Sequence, residues 1–162
     1  PAVLTQCPDA VYLVAGLPTR QAALQKLATE LHVAEHVIFA GMVPPEQLPT
    51  YFNLCDLFIL VSREARQGDL EGYGIVVVEA ALCGKTAIVS DHGGLPEAVH
   101  DGQTGLIVPP ESPDETAQAI ISLLTNEQKR ASLAHEALKK AATSSWEHRV
   151  ASYDAILKEM LV

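Results

Sequence analysis

Five short apolar runs punctuate the chain: Val11-Tyr12-Leu13-Val14-Ala15, Val37-Ile38-Phe39-Ala40, Leu57-Phe58-Ile59-Leu60-Val61, Thr86-Ala87-Ile88-Val89 and Gly105-Leu106-Ile107-Val108. Each has strand length and is followed closely by turn formers such as Gly16, Gly41, Gly93-Gly94 or Pro109-Pro110, so the pattern predicts buried strands. The segments between them read as helices. Residues 20–31 place Leu24, Leu27, Ala28 and Leu31 on one face behind a capping Thr19. Pro44 and Pro45 open a short helix over 46–54. A helix begins at the glycines near 72–74 and ends at Gly84. From Pro113 the chain is helical in two or three segments, the last with a stripe of Trp146, Val150, Tyr153, Ile156 and Leu157. Continuous apolar strands alternating with helices predict an α/β, Rossmann-like parallel sheet with helices on both faces. Ligands of such sheets lie beyond the carboxyl ends of the strands. The loops after Ala15, Ala40, Val61 and Val89 therefore share the candidate edge.

Composition narrows the picture. With 162 residues and 48% hydrophobic content, the chain fits one domain with a core of its own. A formal charge of −9 without any basic run argues against a nucleic-acid surface, which needs clustered cations. A nucleotide stays possible, because a helix N-terminus and one or two cations hold its phosphates. Cys7, Cys55 and Cys83 are odd in number, far apart and set in apolar surroundings, so reduced core thiols and a cytoplasmic location are expected. No apolar run nears the roughly 18 residues of a membrane span. The opening Pro1-Ala2-Val3-Leu4-Thr5-Gln6 has neither Met nor a signal pattern, which suggests that residues 1–9 are the cut start of a longer protein.

The most telling chemistry lies at 71–79, Glu-Gly-Tyr-Gly-Ile-Val-Val-Val-Glu, where two carboxylates flank a glycine-rich helix start. Glu79 is the single polar residue of an apolar helix, and a buried carboxylate costs several kcal/mol without a partner. That partner is either internal, an Arg or Lys, or a ligand. Gly72 and Gly74 allow close backbone approach, and the amides of Tyr73, Gly74, Ile75 and Val76 are the unpaired donors of a first turn, suited to a diphosphate. Helical rise puts Glu71 and Glu79 roughly 10–12 Å apart, the reach of a diphosphate with a sugar on each side. Arg63 and Arg66 precede this loop and either neutralise phosphate or remain exposed cations. Asp69 and Glu71 alone are poor grounds for a metal site. His92, before Gly93-Gly94, either lines the sugar side of the cleft or belongs to a polar turn.

The chain resembles the donor-binding C-terminal domain of retaining glycosyltransferases of the two-Rossmann (GT-B) type, known as glycosyl transferases group 1 or family 4. The likeness covers about residues 10–125 and rests on Val11 to Gly16, Phe39-Ala40-Gly41-Met42-Val43, Cys55 to Ser62, the 71–79 stretch with Cys83-Gly84-Lys85, and Gly93-Gly94-Leu95-Pro96-Glu97-Ala98-Val99 with Asp101-Gly102 and Thr104-Gly105. The resemblance implies sugar transfer from a nucleoside diphosphate sugar with retained anomeric configuration, and no cofactor or essential metal. It implies Glu71 beside the transferred sugar, Glu79 on the ribose, backbone groups of 72–76 on the diphosphate or sugar, and the Gly41-Met42-Val43 turn near the base. The family has a further strand and helix before the first strand seen here, carrying an Arg and a Lys, and an N-terminal acceptor domain. Both are expected to be missing partners in the same protein, so this chain alone is expected to bind donor weakly, for want of those cations, and not to transfer. The missing strand belongs inside the sheet, and its exposed edge could pair with a second copy. The parent could act at the inner face of a membrane. A non-catalytic nucleotide-sugar-binding or assembly module is the alternative. A dinucleotide-binding oxidoreductase is disfavoured, since Gly16 stands alone where Gly-x-Gly-x-x-Gly is needed.

Overall fold

The computed structural model describes residues 1–62, 72–143 and 146–160, the side chains of 146–149 excepted. A short helix, α1 (Ala2–Gln6), opens the chain, where no element was expected. The strands follow the predicted runs: β1 (Tyr12–Ala15), β2 (Val37–Gly41), β3 (Phe58–Leu60), β4 (Ala87–Ser90) and β5 (Gly105–Val108). Between them lie α2 (Gln21–Glu30), α3 (Leu48–Leu54), α4 (Ile75–Leu82) and α5 (Leu95–Ala98), and α6 (Pro113–Leu124), α7 (Glu127–Ala142) and α8 (Trp146–Met160) complete the fold.

The strands are parallel, as expected of strands joined by helical crossovers. They form two sheets, however: β1 with β2, and β3-β4-β5. No ladder among the described residues joins the pair to the triplet, so β1 and β3 each keep one edge without a strand partner there. Thr19 does not cap α2. It lies in a 3-10 turn over Pro18–Arg20, and Arg20 occupies the cap position without a side-chain hydrogen bond. The preceding Pro18 presets the backbone for this tighter turn.

The core belongs to the triplet. β4 is sandwiched: Ala87 and Val89 meet Val77 of α4 and Leu95, Ala98 and Val99 on one face, while Ile88 meets Leu123 of α6 and Leu133 of α7 on the other. A strand covered on both faces reads as an unbroken apolar run, which is why 86–89 has no alternation. α4 crosses α7 through Ala81, Ala137 and Ala141, small residues that let the helices approach. Two long cations brace helix ends. Arg130 Nη1 donates to the carbonyls of Leu123 (2.8 Å) and Leu124 (3.3 Å), closing α6. Lys140 Nζ donates to the carbonyls of Glu97 (3.1 Å) and Ala98 (3.2 Å) at the end of α5, and burial lowers its pKa. The three cysteines are unpaired and half-buried, none of them deep in the core.

Candidate functional site at the carboxyl edge

The approach to α4 is built by close backbone packing. Gly74, the cap residue, is left-handed (φ 71°, ψ 55°) and buried. A Cβ there would stand 2.6 Å from Cδ2 of the fully buried Leu95, so both conformation and space call for glycine. Gly94 meets the same segment from the other side: its Cβ would lie 2.7 Å from the Gly72 carbonyl oxygen. The β4–α5 turn is thus pressed against the peptide that leads into α4. This explains two glycine pairs that the sequence presents twenty residues apart.

The Gly74 carbonyl accepts from the Val77 amide (2.8 Å), and no side chain caps α4 among the described residues. Among the described residues no side chain caps the amides of Ile75 and Val76, which carry the helix's partial positive charge. Ile75 is exposed, Val76 half-buried, and Tyr73 half-buried against the core. Glu79 is half-buried on α4, and no ion pair or hydrogen bond to its side chain occurs among the described residues. The internal Arg or Lys partner considered from the sequence is not found among them.

Ser90, fully buried at the end of β4, ties the neighbouring strand to this edge. Its Oγ accepts from the Ser62 amide (2.8 Å) and donates to the Ser62 carbonyl (2.9 Å). Its own carbonyl accepts from the His92 amide (2.8 Å). Ser62 Oγ and His92 Nε2 are buried with no hydrogen-bond partner among the described residues. An unmade buried hydrogen bond costs about 1–3 kcal/mol, so such atoms are few in native proteins. Sequence reasoning had no role for Ser62 or Ser90. The available signal was the matched Val-Ser pairs, 61–62 and 89–90, that end two adjacent strands.

Gly41, Met42 and Val43 lie at the carboxyl end of β2, in the other sheet. Gly41 is left-handed (φ 68°) and accepts from the Gly16 amide (2.8 Å), so the β1 and β2 ends are joined there. Met42 is 67% exposed. Glu71, Arg63, Arg66 and Asp69 lie outside the described residues.

A parallel α/β sheet whose helix start opens at its carboxyl edge is the class of fold that takes its ligands beyond the carboxyl ends of its strands. The particular family follows from comparison: residues 2–140 match the model of glycosyl transferases group 1, and the chain belongs to that family. It is 34% identical over 150 residues to a GDP-mannose-dependent α-(1-6)-phosphatidylinositol monomannoside mannosyltransferase of Mycolicibacterium smegmatis, covering 92% of this chain and 39% of that protein. A D-inositol 3-phosphate glycosyltransferase of Rhodococcus opacus is 36% identical over 141 residues, covering 84% of this chain and 30% of the relative. Among solved structures, HepE of Anabaena in complex with UDP-glucose aligns with TM-score 0.76 and 29% identity, over 88% of this chain and 38% of that one. The fold is accordingly the Rossmann-like kind found in GT-B glycosyltransferases. The chain spans well under half the length of these relatives.

Proposed function

We propose that this chain is the donor-binding part of a retaining, family 4 sugar transferase that uses a nucleoside diphosphate sugar. The observation that supports it most is the glycine-built start of α4 at the carboxyl edge, where the Ile75 and Val76 amides have no side-chain cap among the described residues and would meet a diphosphate. In this reading the backbone of 72–76 holds the diphosphate and Arg63 adds positive charge. Glu79, without a protein partner among the described residues, takes the ribose diol through both carboxylate oxygens. Glu71 lies beside the transferred sugar, and the Gly41-Met42-Val43 turn meets the base. The bond from the anomeric carbon to diphosphate oxygen breaks, a bond to an acceptor oxygen forms, and the departing diphosphate is stabilised by preorganised amides and helix dipole. The acceptor is held by another domain of the same protein, so this chain alone binds donor without transferring sugar. UDP-glucose in HepE and the GDP-mannose dependence of the mycolicibacterial relative make uridine and guanosine diphosphate sugars the first donors to try.

Thermal-shift measurements against UDP, GDP, ADP and their hexose derivatives test this. A ligand at 100 times its Kd stabilises by about 2.7 kcal/mol, and Glu79→Ala should abolish the shift. If no nucleotide moves the melting temperature, or if Glu79→Ala keeps the full shift, the donor site or its ribose contact is wrong. A full-length protein that binds the nucleotide sugar and never transfers it would instead favour a non-catalytic module.

A further inference from the structure

Ser62 and His92 follow neighbouring strands, β3 and β4, and Ser90 fixes the backbone of both through three hydrogen bonds. The turn that carries His92 runs into Gly94, which touches the Gly72 peptide at the entrance to α4. The two unpartnered atoms, Ser62 Oγ and His92 Nε2, therefore belong to adjacent strand-end segments tied together by Ser90, and the turn of His92 reaches the entrance to α4. Around them, the Ser62 peptide is satisfied by Ser90 and the Asp91 amide by the Val108 carbonyl (2.8 Å). Buried polar atoms without partners are few in native proteins, so each calls for an explanation, and a polar ligand drawn into this edge supplies one.

We propose that Ser62 Oγ and His92 Nε2 bind hydroxyls of the sugar moiety of a nucleoside diphosphate sugar, a role that rests on the donor-site reading above. The chemistry divides the ligand between two sets of groups. Phosphate oxygens only accept, so they suit backbone amides. Sugar hydroxyls donate and accept, and so do a serine hydroxyl and an imidazole nitrogen, the latter according to its tautomer. Both atoms are closed off from solvent as the side chains stand, so Ser62 turns about one bond and His92 about two to reach the sugar, while Ser90 keeps their backbones in place. A nucleoside diphosphate without the sugar offers this pair nothing.

The test is calorimetric titration of the chain and its Ser62→Ala, His92→Ala and His92→Phe variants with UDP, UDP-glucose, GDP and GDP-mannose. The imidazole nitrogens of 15N-histidine-labelled protein are followed by NMR in the same titrations. Each variant should lose about tenfold in affinity for the sugar nucleotide, the order of one hydrogen bond. Affinity for the matching nucleoside diphosphate should stay within about twofold. The His92 Nε2 resonance should move with the sugar nucleotide and stay put with the nucleoside diphosphate. His92→Phe keeps the ring volume, so a folding defect in His92→Ala leaves the outcome readable. Equal losses toward both ligands, no loss, or an unmoved Nε2 resonance would overturn the pairing while leaving the donor site standing. If the unmodified chain binds none of the four, the donor site itself falls and takes this role with it.

Discussion

The two sheets of this molecule use the same kind of sequence and reach very different states. In the triplet, β4 is buried from Ala87 to Ser90, with α4 and α5 on one side and α6 and α7 on the other. In the pair, no residue of β1 or β2 is fully buried, and Tyr12 and Ile38 are each 52% exposed. Helix α2 carries the predicted apolar face, yet Leu24, Leu27 and Leu31 are exposed and Ala28 alone is buried. The pair is attached mainly at its margins, through α1 against α6 and through α3, where Phe52 stacks edge-on against Phe58 at 5.7 Å. An amphipathic face states that something must cover it. Whether the cover is present depends on the rest of the molecule. The exposed Val150, Tyr153, Ile156 and Leu157 of α8 repeat the lesson at the other end of the chain.

Paired substitutions should break this contrast most visibly. Ile88 is 0% exposed and Ile38 is 52% exposed, so Ile88→Ala removes core packing while Ile38→Ala trims a surface. Urea unfolding should show a loss of about 4 kcal/mol for the first and below about 1 kcal/mol for the second. Since domains of this size hold about 5–15 kcal/mol in total, the first variant should lose a large share of its stability. Equal losses would mean that the pair is as well packed as the triplet, and the distinction would disappear.

Glycines give a finer comparison. Gly74 and Gly41 are both left-handed, at φ 71° and 68°, so an alanine at either carries the backbone cost of about 1–2 kcal/mol. At Gly41 nothing lies within 4 Å of the new methyl, whereas at Gly74 it meets Leu95 Cδ2 at 2.6 Å. Leu95 is locked in the core, so Gly74→Ala should cost about 1–2 kcal/mol more than Gly41→Ala. Chemical denaturation of the two variants measures the difference. A Gly74→Ala protein no worse than Gly41→Ala would show that Leu95 yields, and that the α4 entrance is softer than its packing implies.

These contrasts also mark what could be read in the residues. The strands were legible because buried parallel strands are short apolar runs bounded by turns, and each run became a strand to within a residue or so. The group 1 family was legible from glycine and glutamate spacing, and the family match bears it out. The division into two sheets was not, because edge pairing depends on hydrogen bonds that leave no trace in local pattern. α1 escaped notice because a single apolar turn has no periodicity to count. Thr19 misled because a capping residue type says nothing about the 3-10 turn that Pro18 imposes two positions before α2 begins. At the site, the glycines and Glu79 stood out as departures from an apolar background. Ser62 and Ser90 did not, since serine at a strand end is ordinary until the chain brings two such ends together.

The smallest effect separates the halves by cooperativity. Helix α7 is capped: the Asn126 side chain accepts from the Lys129 amide at 2.9 Å. Because α7 packs on α4 and β5, losing this cap is felt by the whole triplet, and Asn126→Ala should lower global stability by about 1 kcal/mol. Helix α2 has no side-chain cap, and Arg20 sits at the cap position. Arg20→Asp supplies a carboxylate at a helix N-terminus, worth about 0.5–1 kcal/mol to α2 itself. If the pair opens independently of the triplet, that gain slows amide exchange in α2 and leaves the main unfolding midpoint where it was. A midpoint that rises with Arg20→Asp by as much as it falls with Asn126→Ala would instead make the two sheets one cooperative unit, joined more firmly than their burial indicates.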